Sequence, residues 1–256
     1  MTRTIAIVNQ KGGVGKTTSA VNLSAYLASL GKFVLLIDLD PQGNASSAFG
    51  VDHRSLPEGI YEALTGAVSL KSVVQHTVVE GHKLAPASIS LAGANVELVN
   101  VDRREYRLRD TLTEVAHEYD YIIIDCPPSL GLLTVNALVG VNEIIIPVQA
   151  EYYALEGLSS LLETISLVRE NINQELEILG ALITMYDDRY KLTHDVFHEL
   201  YRYFPNRIFR TVIPRNIRLA EAPSYGKPIL HYDPGSRGAR AYEKLAREVV
   251  YSEKLE

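Results

Sequence analysis

The chain has a single cysteine, Cys126, no excess of basic charge and no apolar run approaching the roughly 18 residues of a membrane span. One cysteine excludes an intramolecular disulfide and a multi-cysteine metal site, and it matches a reducing compartment. The N-terminus passes from Met1-Thr2-Arg3-Thr4 directly into the strand-like Ile5-Ala6-Ile7-Val8. With no membrane-length run, this points to a soluble cytoplasmic protein. Lys and Arg number 25 against 31 Asp and Glu, a formal charge of −6. That excludes a protein coating nucleic acid with its whole surface, but not a local basic patch. Only 17 Gly and 11 Pro in 256 residues exclude collagen-like and low-complexity classes, and 46% hydrophobic against 22% charged excludes global disorder.

What is present is alternation. Short Ile- and Val-rich runs at 5–8, 34–37, 121–124, 143–147, 178–184 and 208–212 read as strands. Between and after them, amphipathic stretches at 17–30, 104–118, 129–139, 155–171, 194–203 and 240–250 read as helices. Strand–helix alternation with strands apolar on both faces predicts an α/β fold with a mostly parallel sheet and helices on both faces. No repeat or linker divides the chain, and the turn-rich stretch 50–66 reads as a surface excursion. We therefore expect one domain over 1–256.

The first strand runs into Gln10-Lys11-Gly12-Gly13-Val14-Gly15-Lys16-Thr17-Thr18 and then a helix. Strand, Gly-rich turn, Lys-Thr and helix is the phosphate-cradling arrangement of P-loop NTPases. The glycines let successive amides face an anion, the helix N-terminus adds its positive end, and Lys16 brings a full charge to the outer phosphates. Thr17 is placed to give its hydroxyl oxygen to Mg²⁺. The usual pattern has glycine where Gln10 stands, and a second lysine follows it. Lys11 has two readings, a solvated loop lysine or a charge serving a different molecule.

Two further runs bring carboxylates to strand ends, where open α/β sheets hold their ligands. Val34-Leu35-Leu36-Ile37-Asp38-Leu39-Asp40-Pro41 offers Asp38 and Asp40, which read either as site residues or as turn formers before proline. Tyr121-Ile122-Ile123-Ile124-Asp125 ends in the natural second partner for Mg²⁺. Cys126 beside it has no histidine neighbour in sequence and reads as core packing.

Together these segments resemble the ParA/Soj family of chromosome and plasmid partition ATPases, among the deviant Walker A proteins that include MinD and the nitrogenase iron protein. The resemblance is carried by the loop 11–18, Asp38-Leu39-Asp40-Pro41-Gln42-Gly43-Asn44, Ile124-Asp125-Cys126-Pro127-Pro128-Ser129-Leu130-Gly131, Glu151 to Gly157, and Val212-Ile213-Pro214-Arg215-Asn216-Ile217-Arg218 onward to Pro228. It implies an ATP-dependent homodimer in which Lys11 reaches the partner's nucleotide. It also implies that Lys11, Lys16 and Asp40 are catalytic, with Asp40 orienting the attacking water. Lys11, Gly12, Gly13, Val14, Gly15, Lys16, Thr17 and Thr18 would hold ATP, with Pro214 and Asn216 at the adenine. Thr17, and Asp125 through water, would hold Mg²⁺. The family binds double-stranded DNA without sequence preference, and a ParB-type centromere-binding protein stimulates hydrolysis and release. Lys11 lies too near the start for the helix-turn-helix extension of many plasmid relatives, so site-specific repression is not expected.

Charge is uneven: residues 1–185 carry 12 basic and 21 acidic side chains, and 186–256 carry 13 and 10. Arg202, Arg207, Arg210, Arg215 and Arg218 fall in one stretch without Asp or Glu, a candidate phosphate footprint or a solvated face. The resemblance adds Arg189 and Arg218 as DNA contacts and implies association with the nucleoid. Tyr152, Tyr153 and the stretch 155–162 read equally as a dimer or partner surface and as a core-facing helix. The main competitor is a MinD-like membrane-cycling ATPase, which needs a basic amphipathic C-terminal anchor. The end of this chain, from Leu245 to Glu256, carries more acid than base, so no membrane partner is expected. An iron–sulfur ATPase is excluded by the cysteine count. A small-molecule kinase or ligase on the same fold would need a second substrate pocket that the sequence neither reveals nor excludes.

Overall fold

Ile5 and Ile7 point to one side of the first strand and Ala6 to the other, followed by Val8 just past its end, and all four are fully buried. Such a strand needs apolar cover on both faces, and the computed structural model supplies it. The structure describes residues 2–151, 157–187, 189, 196 and 199–252. Seven strands form one sheet: β1 (Arg3–Ile7), β2 (Val34–Asp38), β3 (Gln75–His76), β4 (His82–Ala85), β5 (Tyr121–Asp125), β6 (Glu143–Gln149) and β7 (Glu177–Thr184). Their order is β3-β4-β2-β5-β1-β6-β7, and every neighbouring pair is parallel except β3 with β4.

Helices α1 (Lys16–Ser29), α2 (Arg107–Leu112), α3 (Leu132–Gly140), α4 (Leu158–Asn171), α5 (Ile217–Glu221) and α6 (Arg237–Ser252) divide between the faces. One core joins Leu23 and Leu27 of α1 with Tyr242, Leu245 and Val249 of α6 over Ile5, Ile7, Leu36 and Ile123. The other joins α2, α3 and α4 over Leu35, Ile37, Ile122 and Ile124. The parallel order brings the carboxyl ends of β1, β2 and β5 side by side, with Asp125 in register with both Ile7 and Asp38.

Several elements differ from the sequence expectation. The run 208–212 forms no strand. Phe209 and Ile213 donate to Ala181 and Ile183 of β7, but the amides of Arg210 and Thr211 between them donate to the Glu248 carboxylate at 2.7 and 3.0 Å, which interrupts the ladder. The expected helix 104–118 is broken into α2 and flanking 3₁₀ turns, with the Thr111 and Thr113 hydroxyls donating back to the carbonyls of Arg107 and Asp110. Strands β3 and β4 escaped the sequence reading because they are short and carry His76, His82 and Lys83. The stretch 50–66 is not purely a surface excursion, since Ile60–Thr65 is a helix that buries Ile60 and Leu64 in the core. Tyr152, Tyr153, Leu155 and His194 lie outside the described residues.

Candidate nucleotide-binding site

After β1 the backbone must turn back over the sheet edge to start α1, and Gly15 makes that turn. It is the N-cap of α1 at φ 90°, a left-handed conformation that a side chain would strain. Two bonds hold the loop from behind: Asn9 Nδ2 donates to the Pro147 carbonyl at 2.7 Å, and Thr184 Oγ1, at the end of β7, donates to the Val14 carbonyl at 2.8 Å. Gly12 and Gly13 are exposed at the loop's crest, while Val14 is buried beneath it. The Lys11 amide donates to Asn9 Oδ1 at 2.9 Å.

Lys16 folds under this loop, 6% exposed, and its Nζ donates to the Lys11 carbonyl oxygen at 3.0 Å. Burial lowers its ammonium from the usual range, while Asp125, Cys126 and Asp40 act in the opposite direction. The two loop lysines therefore play different parts. Lys16 is an internal cation, and Lys11 is half-buried with no carboxylate partner among the described residues.

Asp38 and Asp125 are both fully buried, yet their surroundings differ. Asp38 Oδ2 accepts from the amide and the hydroxyl of Ser46, each at 2.7 Å, and Oδ1 accepts from the Asp40 amide at 3.3 Å. Burial still raises its carboxyl to about 6. Neither oxygen of Asp125 has a hydrogen-bond partner, the only such buried side-chain atoms among the described residues. Burial first, and then Asp38, raise the Asp125 carboxyl well above its ordinary range. Thr17 and Lys16 beside it offset part of that shift, without completing a hydrogen bond. A buried carboxylate with two free oxygens next to a hydroxyl at a helix N-terminus fits a hydrated magnesium ion, which keeps most of its waters and takes few protein ligands. No cluster of three His, Cys, Asp or Glu suited to a closed metal cage exists among the described residues.

Asp40 is 6% exposed in the loop that leaves β2. Its Oδ1 accepts from the Gln42 amide at 3.0 Å, which fixes the carboxylate within the turn, while Ser46 on Asp38 anchors the far end of the loop. Cys126 is fully buried and its thiol is pushed well above the ordinary range by burial, so it packs and does not react.

On the other side of Gly15 and Thr18 opens a cleft of about 370 Å³, walled by Thr184, Met185, Pro214, Asn216 and Leu219. Asn216 Oδ1 caps α5 by accepting from the Arg218 amide at 2.8 Å. The cleft is mostly apolar, and Pro214 and Asn216 both line it. Sequence reasoning missed Ser46, Thr184 and Asn22. Asn22 sits 4% exposed on α1, donating to the Thr18 carbonyl and accepting from the Ile229 amide, each at 2.8 Å. An asparagine interrupting the apolar run Ala20-Val21-Asn22-Leu23, in a helix buried nearly all round there, was the signal that could have found it.

Four of the five arginines of the stretch are compensated in three dimensions, and Arg210 has no side-chain carboxylate partner among the described residues. Arg202 pairs with Glu199, Arg207 with Glu177, Arg215 with Glu151, and Arg218 with Glu221 and Asp233. Arg189 is held by both oxygens of Asp187. Glu199 and Glu221 lie just beyond the two ends of the stretch and Asp187 two residues before Arg189, while Glu177, Glu151 and Asp233 come from further along the chain.

A family model described as an AAA domain matches residues 2–178. Sporulation initiation inhibitor protein Soj of Bacillus subtilis is 54% identical over 250 residues, covering 98% of this chain and 99% of that protein. Chromosome partitioning protein ParA of Myxococcus xanthus is 51% identical over 97% of this chain and 88% of its own. The chain belongs to the ParA/Soj family of partition ATPases. Among solved structures, a cobyrinic acid a,c-diamide synthase from Mycobacterium smegmatis with bound ATP analog and magnesium matches with a TM-score of 0.88 and 38% identity, over 99% of this chain and 96% of that one. The seven-stranded sheet and its phosphate loop are thus the P-loop fold of ParA/Soj and MinD-like ATPases.

Proposed function

We propose that this ParA/Soj chain is a single ATPase domain that binds ATP with magnesium and closes on ATP into a homodimer. The dimer holds DNA without regard to sequence and releases it when a ParB-type centromere-binding protein stimulates hydrolysis. The observation that carries the reading is the pair of partnerless Asp125 oxygens buried beside Thr17 and Lys16.

The loop amides from Gly12 to Thr18 and the Lys16 ammonium hold the phosphates; Lys16, spending one donor on the Lys11 carbonyl, keeps two for oxygen ligands. The Thr17 hydroxyl and, through water, Asp125 hold magnesium, which when bound neutralises charge developing on the phosphate oxygens. Pro214 and Asn216 take the adenine in the adjoining cleft. Asp40 has Oδ1 fixed by the Gln42 amide, leaving Oδ2 to accept a hydrogen bond from the attacking water and orient it. Lys11, without a carboxylate partner among the described residues, supplies the charge that crosses to the partner's nucleotide.

Arg189 and Arg218 contact backbone phosphate, giving association with the nucleoid. Each already holds carboxylates, so these two arginines of one protomer offer little uncompensated positive charge and bind DNA weakly. Doubling the contacts in an ATP-bound dimer converts weak binding into retention. Against a membrane-cycling role stands α6, whose apolar face is committed to the core with α1. No helix among the described residues is long and apolar enough to cross a membrane.

Light scattering tests the dimer. Asp40→Ala, which slows turnover, is expected to double in mass with ATP but not with ADP, and adding Lys11→Ala is expected to keep it monomeric. A mass independent of nucleotide would overturn the reading.

A further inference from the structure

The loop that presents Asp40 and the segment that walls the base cleft pack together, and at Gly50 and Gly226 the contact is backbone on backbone. From Asp40 the chain runs through the short helix Asn44–Ser47 to Gly50. From Asn216 it runs through α5 and the turn Ala222–Tyr225 to Gly226. Gly50 and Gly226 are both left-handed, at φ 78° and 61°. A Cβ added to Gly226 would lie 2.8 Å from Gly50 Cα and 3.1 Å from Gly50 N, too close for the backbones to stay where they are. Three residues further on, the Ile229 amide donates to Asn22 Oδ1, so the same segment is also tied to the first turn of α1, where Thr17 and Thr18 sit.

The geometry points to Gly226 as a positioning residue for hydrolysis: its close contact with Gly50 sets the spacing between the base-holding segment and the Asp40 loop, so that a seated base places the Asp40 carboxylate. The inference rests on the ATPase reading above. Each segment is also anchored within a few residues of that contact. Ser46 holds the Asp40 loop to Asp38 at the edge of the sheet, and Asn22 holds the base segment to α1. Gly226 against Gly50 is where a shift of one segment meets the other, and neither residue has a side chain that could absorb it. Misplacing an orienting group by a fraction of an ångström lowers turnover without weakening the hold on the phosphates.

The experiment compares MgATP with magnesium tripolyphosphate, which has the phosphates but no base, in wild type, Gly226→Ala, Gly226→Asn and Gly31→Ala. Gly31 is left-handed at φ 84° with nothing within 4 Å of an added Cβ, so its alanine carries backbone strain alone. Asparagine tolerates the left-handed conformation, so Gly226→Asn carries the collision with little strain. Melting curves and binding of a fluorescent ATP analogue confirm that each variant is folded and loaded.

Both Gly226 variants are expected to lose about tenfold in kcat for ATP with KM within about twofold, while tripolyphosphate hydrolysis changes less than about twofold. Gly31→Ala is expected to match wild type on both substrates. A loss equal on ATP and tripolyphosphate, a loss confined to KM, a loss shared by Gly31→Ala, or recovery in Gly226→Asn would overturn the inference while leaving the ATPase reading intact. Wild type that fails to hydrolyse ATP would overturn both.

Discussion

Asp38 and Asp125 stand in register on adjacent strands, both fully buried, yet every hydrogen bond to the two carboxylates goes to Asp38. The first is a structural anion that pins the start of the Asp40 loop. The second is left for something the protein itself does not provide. Their division of labour yields the first two predictions.

Replacing Asp125 with asparagine removes a buried charge that has no partner, so the nucleotide-free protein should melt no lower than wild type. The rise in Tm that magnesium and ADP together give the wild type should be lost, and ATP turnover should fall by about 10²-fold or more. Differential scanning fluorimetry with and without magnesium reads the first two effects. A Tm rise equal to that of wild type would remove Asp125 from the magnesium site.

Ser46→Ala leaves the Asp38 carboxylate with one of its two closest donors missing. Stability should drop by about 1–3 kcal/mol in urea unfolding, and kcat should fall more than ATP affinity, because the loop carrying Asp40 loosens while the phosphate loop is untouched. Unchanged stability would show that the Ser46 amide alone suffices.

Asp40→Ala should bind ATP as tightly as wild type and hydrolyse it about 10²- to 10³-fold more slowly in a single turnover. A wild-type rate would remove Asp40 from the mechanism.

The sheet was legible because burial on both faces writes an apolar run into the sequence, as in Tyr121 to Ile124, and because a phosphate loop needs glycines and Lys-Thr at fixed offsets. What escaped was held by partners outside the local run of sequence. Glu248 takes the amides of Arg210 and Thr211 and stops a strand that local composition favours. His82 belongs to no apolar run or motif, yet it lies buried inside β4, bonded to Ser24 and stacked on Phe49. Of the acids that pair with the arginines at 202–218, Glu199 and Glu221 lie just outside the stretch and Glu151, Glu177 and Asp233 further off, so the basic stretch looked barer in sequence than it is. The contrast between Asp38 and Asp125 depends on Ser46, eight residues away in a turn, and no spacing rule announces it.

His82 also gives a pH prediction. It is buried between Ser24 and Thr77, and desolvation lowers its imidazole to about 3, so the folded state holds it neutral. The unfolded chain takes up that proton as pH falls below about 6.5, the folded protein only near 3. Stability from this residue is therefore fully present above 6.5 and is lost progressively between 6.5 and 3. The raised Asp38 carboxyl acts with the opposite sign between 3.8 and about 6, so the test is a difference. His82→Gln should have a lower Tm at pH 7.5, and the gap to wild type should narrow as pH falls to about 5. A gap that stays constant with pH would contradict the assignment.

The central claim is that ATP switches DNA affinity. Anisotropy of a labelled random-sequence duplex, read without nucleotide, with ADP and with ATP at 50 and 200 mM salt, tests it directly, with Arg218→Glu as control. The account predicts binding only with ATP, abolished by Arg218→Glu. Four phosphate contacts, Arg189 and Arg218 from each of two protomers, should make it about a hundredfold weaker at the higher salt. Binding that is equal in all three nucleotide states, or absent in a chain that hydrolyses ATP normally, would contradict it.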